Sequence, residues 1–179
     1  VISFAVLGFY GYEIYVQAPP VPNKVVDDDG SVLFTGDDIR DGQNIWQSIG
    51  GQEVGSIWGH GAYVAPDWSA DFLHRECQWM LDYWSRRDYG ESFSRLGKEN
   101  QAALKERLKQ EVRENRFDPE TGVVKVSSVR RQAIEEVGRH YSGLFGNDPA
   151  LKKLRDAYAV PANTIKTQSR LDKLNAFFF

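Results

Sequence analysis

Cysteine and methionine occur once each in the 179 residues, as Cys77 and Met80, and histidine only three times. One cysteine excludes an intramolecular disulfide framework, any Cys-x-x-Cys zinc or redox site, and the usual Cys-x-x-Cys-His haem attachment. A basic surplus is missing as well. Lys and Arg number 22 against 25 Asp and Glu, a net charge of −3, so little is available to neutralise phosphates and no nucleic-acid partner is expected. Gly-x-x-x-x-Gly-Lys-Ser/Thr, the nucleophile elbow and His-Glu-x-x-His are absent, which removes the P-loop, α/β-hydrolase and zincin sites. The uncharged opening, Val1 to Tyr12, falls short of the roughly 20 residues that cross a bilayer.

What remains is 41% hydrophobic and 26% charged, the balance of one globular domain. Gln17 to Pro22, with three prolines, reads as an extended linker. Val25-Val26 and Val32 to Phe34 flank Asp29-Gly30 as a hairpin. Thr35 with Asp38 suggests a capping box, before a helix carrying Ile39, Gly42, Trp46 and Ile49 and ending at Gly50-Gly51. Gly50 to Ala65 is a long glycine-rich loop that follows no strand, so it does not suggest a dinucleotide site. Pro66-Asp67 opens a helix striped by Phe72, Leu73, Cys77, Met80, Leu81 and Trp84. A charged amphipathic helix follows over Asn100 to Asn115, then a turn and a short strand at Val123 to Val126. Ser128 offers a cap to a helix with Ile134, Val137, Tyr141 and Leu144 inward. Asp148-Pro149 starts another, and Leu171, Leu174, Phe177 and Phe178 begin a last one. The class expected is mostly α with two small β-hairpins.

Few residues suggest chemistry. His74 and Cys77 lie one helical turn apart, but zinc needs two more ligands, so the pair reads as a partly buried cysteine on the core stripe with a histidine beside it. His140 reads as surface. Asp27 to Asp29 suit a turn better than calcium, and Asp37-Asp38 a helix cap. No metal site is expected. All five tryptophans, Trp46, Trp58, Trp68, Trp79 and Trp84, fall within one stretch. They suggest a dense aromatic core, or the filling of a space that once held something large, flat and apolar.

The run from Ile45 to Asp71, IWQSIGGQEVGSIWGHGAYVAPDWSAD, resembles the extracytoplasmic segment near the start of quinol-dependent nitric oxide reductases. Ala18-Pro19-Pro20, the segment Phe145 to Leu151 and the closing Phe177 to Phe179 extend that likeness over essentially the whole chain. In the cytochrome subunit of the cytochrome-dependent reductases, a tryptophan-ended helix is followed by Cys-x-x-Cys-His and then by a loop ending Gly-x-Gly-Ala-Tyr-x-Ala-Pro. Gly59 to Pro66 matches that ending. The resemblance then sets Gly51 and Val54 where the thioether cysteines would stand, and Gly55 where the proximal histidine would be. Met80 lies on a helical stripe and makes a poor distal ligand.

This resemblance implies a cytochrome-c-like helical domain without haem, and so no cofactor in this segment. It implies a parent membrane enzyme that reduces two NO to N2O with electrons from quinol, using two b-type haems and non-haem iron. The chain is expected to be a piece of a longer one. Residues 1–16 would end a first transmembrane helix, with Tyr10, Tyr12 and Tyr15 at the interface. Residues 17–170 would form the domain, on the periplasmic side of the inner membrane, and residues 171–179 would start a second membrane helix. The partners implied are the catalytic bundle of the same chain and the bilayer at both ends, with quinol for the parent. The role left to this domain is structural and non-catalytic. Trp58 and Trp68 are expected to fill the vacated haem volume. His60, Asp67, Asp71, His74 and Glu76 are expected to form a polar surface toward the bundle. Two rival readings are an extracytoplasmic binding or sensor module between two membrane helices, and a small metal-dependent enzyme at His74 and Cys77.

Overall fold

The computed structural model describes residues 2–17, 20–57, 59 and 65–179. Among the described residues there are seven α-helices and one small sheet. Strand β1 (Lys24–Val26) pairs antiparallel with β2 (Val32–Thr35) and parallel with β4 (Val123–Lys125), and β4 pairs antiparallel with β3 (Phe117–Asp118). The Asp27 carboxylate closes the β1–β2 turn by accepting from the amides of Asp29 and Ser31, at 3.1 and 2.8 Å. The two hairpins suggested by the sequence are therefore one four-stranded sheet. The β1–β4 pairing joins segments about a hundred residues apart, and nothing local in either strand announces it.

Helix α1 (Ile2–Gln17) carries no buried residue. No helix of the described residues is long and apolar enough to cross a membrane. Helix α2 (Gly36–Ser48) starts at the expected capping box. The Asp38 amide donates to Thr35 Oγ1 at 3.2 Å, and the Thr35 amide donates to the Asp38 carboxylate at 2.9 Å. Helix α3 (Trp68–Tyr89) is capped by Asp67. Helix α4 (Lys98–Arg113) is laid on the second half of α3, where Leu104 joins Met80, Leu81 and Trp84 in a smaller core. Helix α5 (Ser128–Phe145) is capped by Ser127, one residue before the serine suggested by the sequence. Ser128 instead donates its amide and hydroxyl to Asp28 across the β1–β2 turn, at 2.9 and 3.0 Å. The short α6 (Lys152–Tyr158) follows a 3-10 turn at Pro149–Leu151.

Helix α7 (Gln168–Phe178) lies in the middle of the domain. Leu171, Leu174, Phe177 and Phe178 are buried in the main core with Trp46, Trp68, Phe72, Ile134, Tyr141 and Phe145. Gly42 lets α2 and α7 touch: a Cβ there would overlap the Lys173 carbonyl oxygen and sit 2.7 Å from Phe177 Cβ. The apolar residues that suggested the start of a membrane helix at 171–179 are thus accounted for by packing inside the domain. Apolarity alone does not distinguish a lipid-facing turn from a core turn.

Candidate functional site

The segment between α2 and α3 holds most of the residues singled out by the sequence. A 3-10 turn spans Gly51–Glu53, with Gly51 and Gly55 buried and Val54 half-buried. A bridge closes the base of the following loop. The Trp68 amide donates to the Ser56 carbonyl at 2.8 Å, and the Ser56 amide to the Pro66 carbonyl at 3.4 Å. Asp67 fastens this base. One carboxylate oxygen accepts from the Ala70 amide at 2.9 Å and the Ser69 hydroxyl at 2.6 Å. The other accepts from the Ser56 hydroxyl at 2.9 Å and the Gly59 amide at 2.6 Å. Burial opposes its ionisation, but the donors from Ser69, Gly59, Ala70 and Ser56 outweigh burial and hold the carboxyl far below its ordinary range. Asp67 is 9% exposed, so it serves the loop and the helix cap rather than an outer surface. Trp58 and His60 lie outside the described residues.

Behind the loop is a cluster of rings. Trp68 is fully buried. Its ring meets Trp46, Tyr141, Phe145, Tyr158 and Phe178 at centroid distances between 5.4 and 6.3 Å. Trp46 packs edge-on against Phe145 and Phe178, at 6.3 and 5.5 Å. The indoles reach the loop itself. A Cβ at Gly51 would overlap three ring carbons of Trp46, and one at Gly55 would overlap Trp68 Nε1 and lie 2.8 Å from the Pro66 carbonyl oxygen. Trp68 Nε1 is buried without a hydrogen-bond partner among the described residues. Beside the loop, a solvent-open groove of about 340 Å³ runs past Gln43, Gln52, Gly55 and Phe177.

These residues do not fit a covalently attached haem. Glycine at 51 and valine at 54 cannot form thioethers, and glycine at 55 offers no axial ligand. At 51 and 55 even the first side-chain carbon of a cysteine or histidine would collide with an indole.

The remaining polar candidates separate. Asp71 sits on the seam between α3 and α5, where it accepts from the Tyr141 hydroxyl at 2.5 Å and from Arg75 Nε at 2.7 Å. Burial, then this bond to Asp71, pushes the Tyr141 phenol far above its usual range. Glu76 is 1% exposed. It accepts from Arg130 Nε at 2.5 Å, and that guanidinium lies over the Phe179 ring at 5.5 Å. Burial raises the Glu76 carboxyl above its ordinary value, Arg130 lowers it and Glu111 adds to the rise. Glu76 is therefore an interior partner of α5 and not part of a polar surface; its position on α3 turns it toward Arg130. His74 is exposed and pairs with Gln78 at 2.8 Å. Cys77 is half-buried, and no group of three His, Cys, Asp or Glu able to hold a metal occurs among the described residues.

His140, expected at the surface, has its ring Nε2 buried and unpartnered among the described residues. Sequence reasoning groups Trp46 with the other tryptophans in an aromatic core but does not place Phe178 in the ring cluster. The signal for Trp46 is its place among five clustered tryptophans. Phe178 reads as part of a membrane turn, and only the α2–α7 contact reveals its place.

No curated protein matches the chain. The family model for the cytochrome c-like domain of the nitric oxide reductase protein NorB matches residues 22–179, from the linker before β1 through the whole of α7. With the mostly helical fold and the loop between α2 and α3 now described, that match identifies the chain: it belongs to the family of NorB cytochrome c-like domains of nitric oxide reductase.

Proposed function

We propose that this domain is a structural, non-redox part of a quinol-dependent nitric oxide reductase. It covers the periplasmic face of the membrane-embedded catalytic bundle, while electrons from quinol enter the bundle directly. The observation that carries this reading is the contact of the Trp46 and Trp68 indoles with Gly51 and Gly55. The positions that the resemblance assigns to haem attachment are backed by packed side chains, and a domain without a redox centre has no electron to relay. The parent's chemistry, two NO to N2O at haem b and non-haem iron, belongs to residues outside this chain.

The exposed apolar surface of α1 supports a place beside the bilayer. Ile2, Phe4, Leu7, Phe9, Tyr12 and Ile14 are each more than half exposed, and no residue of α1 is buried by the described residues. Burying side chains of this size is worth roughly 1.5–3 kcal/mol each, a gain that lipid supplies. Residues 1–16 are accordingly read as the end of a membrane helix.

The test is made in the full-length enzyme, produced in cells that attach c-type haem in the export compartment. Haem chemically released from the membrane part should account for all haem present, with none covalently bound. Trp46→Ala should lower the yield and thermal stability of assembled enzyme, and leave quinol-driven NO turnover per assembled enzyme unchanged. Covalent haem in stoichiometric amount, or a turnover loss in enzyme of undiminished stability, would overturn the proposal.

A further inference from the structure

The seam between α3 and α5 contains one group that the structural role does not use. The His140 imidazole lies edge-on to Tyr141 at 5.3 Å, with Nε2 buried and without a partner among the described residues. The charged groups that face it are Arg75 and Asp71 from α3, and Asp148 from the turn that follows α5. Arg75 and Tyr141 already share the Asp71 carboxylate, and Asp148 caps the Pro149–Leu151 turn through the Ala150 amide at 2.9 Å. The bonds to Asp71 both end on Oδ2 and the one to Asp148 on Oδ1, and no carboxylate oxygen of the described residues is bonded to His140 Nε2. A proton added at Nε2 creates a buried donor without a partner among the described residues, beside the Arg75 guanidinium.

We propose that His140 is an acid-sensitive latch: protonation drives its ring out of the α3–α5 seam and loosens the last turn of α5 together with the Asp148 turn. Two links carry the motion. His140 lies one turn before Gly143, where a Cβ would meet Asp148 Cβ at 3.0 Å, and the Asp148 amide donates to the Gly143 carbonyl at 3.1 Å. Arg155 of α6 donates to the same carbonyl, at 3.2 Å. A ring leaving the seam therefore pulls on the contact that fastens α6 to α5. The latch is closed at neutral pH and opens below the ordinary histidine value of 6.5. Burial first, then Arg75, holds the folded ring's affinity for a proton down, against Asp71 and Asp148.

The experiment uses the 179-residue chain in detergent micelles, with histidine ring carbons and backbone nitrogens labelled for NMR, titrated from pH 7.5 to 4.5. The His140 ring should titrate with a midpoint below 6.5, and the amides of Gly143, Leu144 and Asp148 should shift with that same midpoint. Protection of those amides, corrected for intrinsic exchange, should fall about tenfold for each unit by which the midpoint lies below 6.5. His140→Phe should abolish the amide titration, and His140→Gln serves the same purpose if the phenylalanine variant does not fold. A midpoint at or above 6.5, a ring titration with no response at Gly143 to Asp148, or an amide transition that persists in the variants would each overturn the latch.

Discussion

Gly51→Ala tests the packing behind the loop most directly, because the added methyl falls on one indole ring. All three nearest atoms to a Cβ at Gly51 are ring carbons of Trp46, and each is closer than any real Cβ contact. The indole cannot simply retreat. Trp46 is 3% exposed, with Phe178, Phe145 and Trp68 against it. Overpacking of a filled core costs about 1–3 kcal/mol, and a rigid ring held on several sides places this site at the upper end. For a chain of this size that corresponds to a fall in Tm of about 4–10 °C. The assay is urea unfolding of four proteins: parent, Gly51→Ala, Trp46→Leu and the double variant. Leucine frees the space, so alanine at 51 should cost under about 0.5 kcal/mol in that background, giving a coupling near 2 kcal/mol. An alanine that costs the same in both backgrounds, or nothing in either, would refute the contact. A cysteine at 51 brings the same carbon, so with that outcome packing would no longer exclude an attached haem.

Asp67→Ala removes four hydrogen-bond acceptances and a helix cap at once. It should cost about 2–4 kcal/mol in urea unfolding and raise proteolytic cleavage between Ser56 and Asp67. A loss below about 1 kcal/mol with an unchanged cleavage pattern would show that the loop base is held by other means. Glu76 gives a pH prediction. Its carboxyl is raised by burial in the folded state from an ordinary 4.5. Its contribution to stability is therefore fully present below 4.5 and declines as pH rises through the folded value. Thermal melts of the parent and Glu76→Gln should show the difference moving in favour of glutamine from pH 4 to pH 7. A difference that is flat with pH, or that moves toward the parent, would contradict the raised carboxyl.

How far the sequence revealed this molecule depends on the range of each interaction. The Thr35–Asp38 box, the Asp67 cap and the Asp29-Gly30 turn were readable because their partners lie within four residues. The joined sheet, the Asp28–Ser128 contact and the Glu76–Arg130 pair were not, because their partners lie 54 to 100 residues away. The assignment of Gly51, Val54 and Gly55 to haem attachment rests on a resemblance alone, with no local signal behind it. Glycine in a loop carries no local sign that a ring is packed against it. Glu76 and His140 were misplaced for a related reason. A titratable residue on a helix is normally solvated, and only tertiary packing turns one inward.

The position of Phe178 connects these strands. A core built behind the Gly50 to Ala65 loop could draw its rings from one neighbouring element or from several. Here rings converge from separate elements: Trp46 from α2, Trp68 from α3, Tyr141 and Phe145 from α5, and Phe178 from α7. Phe178 touches all four of the others. Its helix approaches α2 at Gly42, where a Cβ would overlap the Lys173 carbonyl oxygen. The ring cluster is thus held by the α2–α7 crossing as much as by the loop. Changing the loop residues alone would leave the cluster in place, because its Phe178 ring comes from α7.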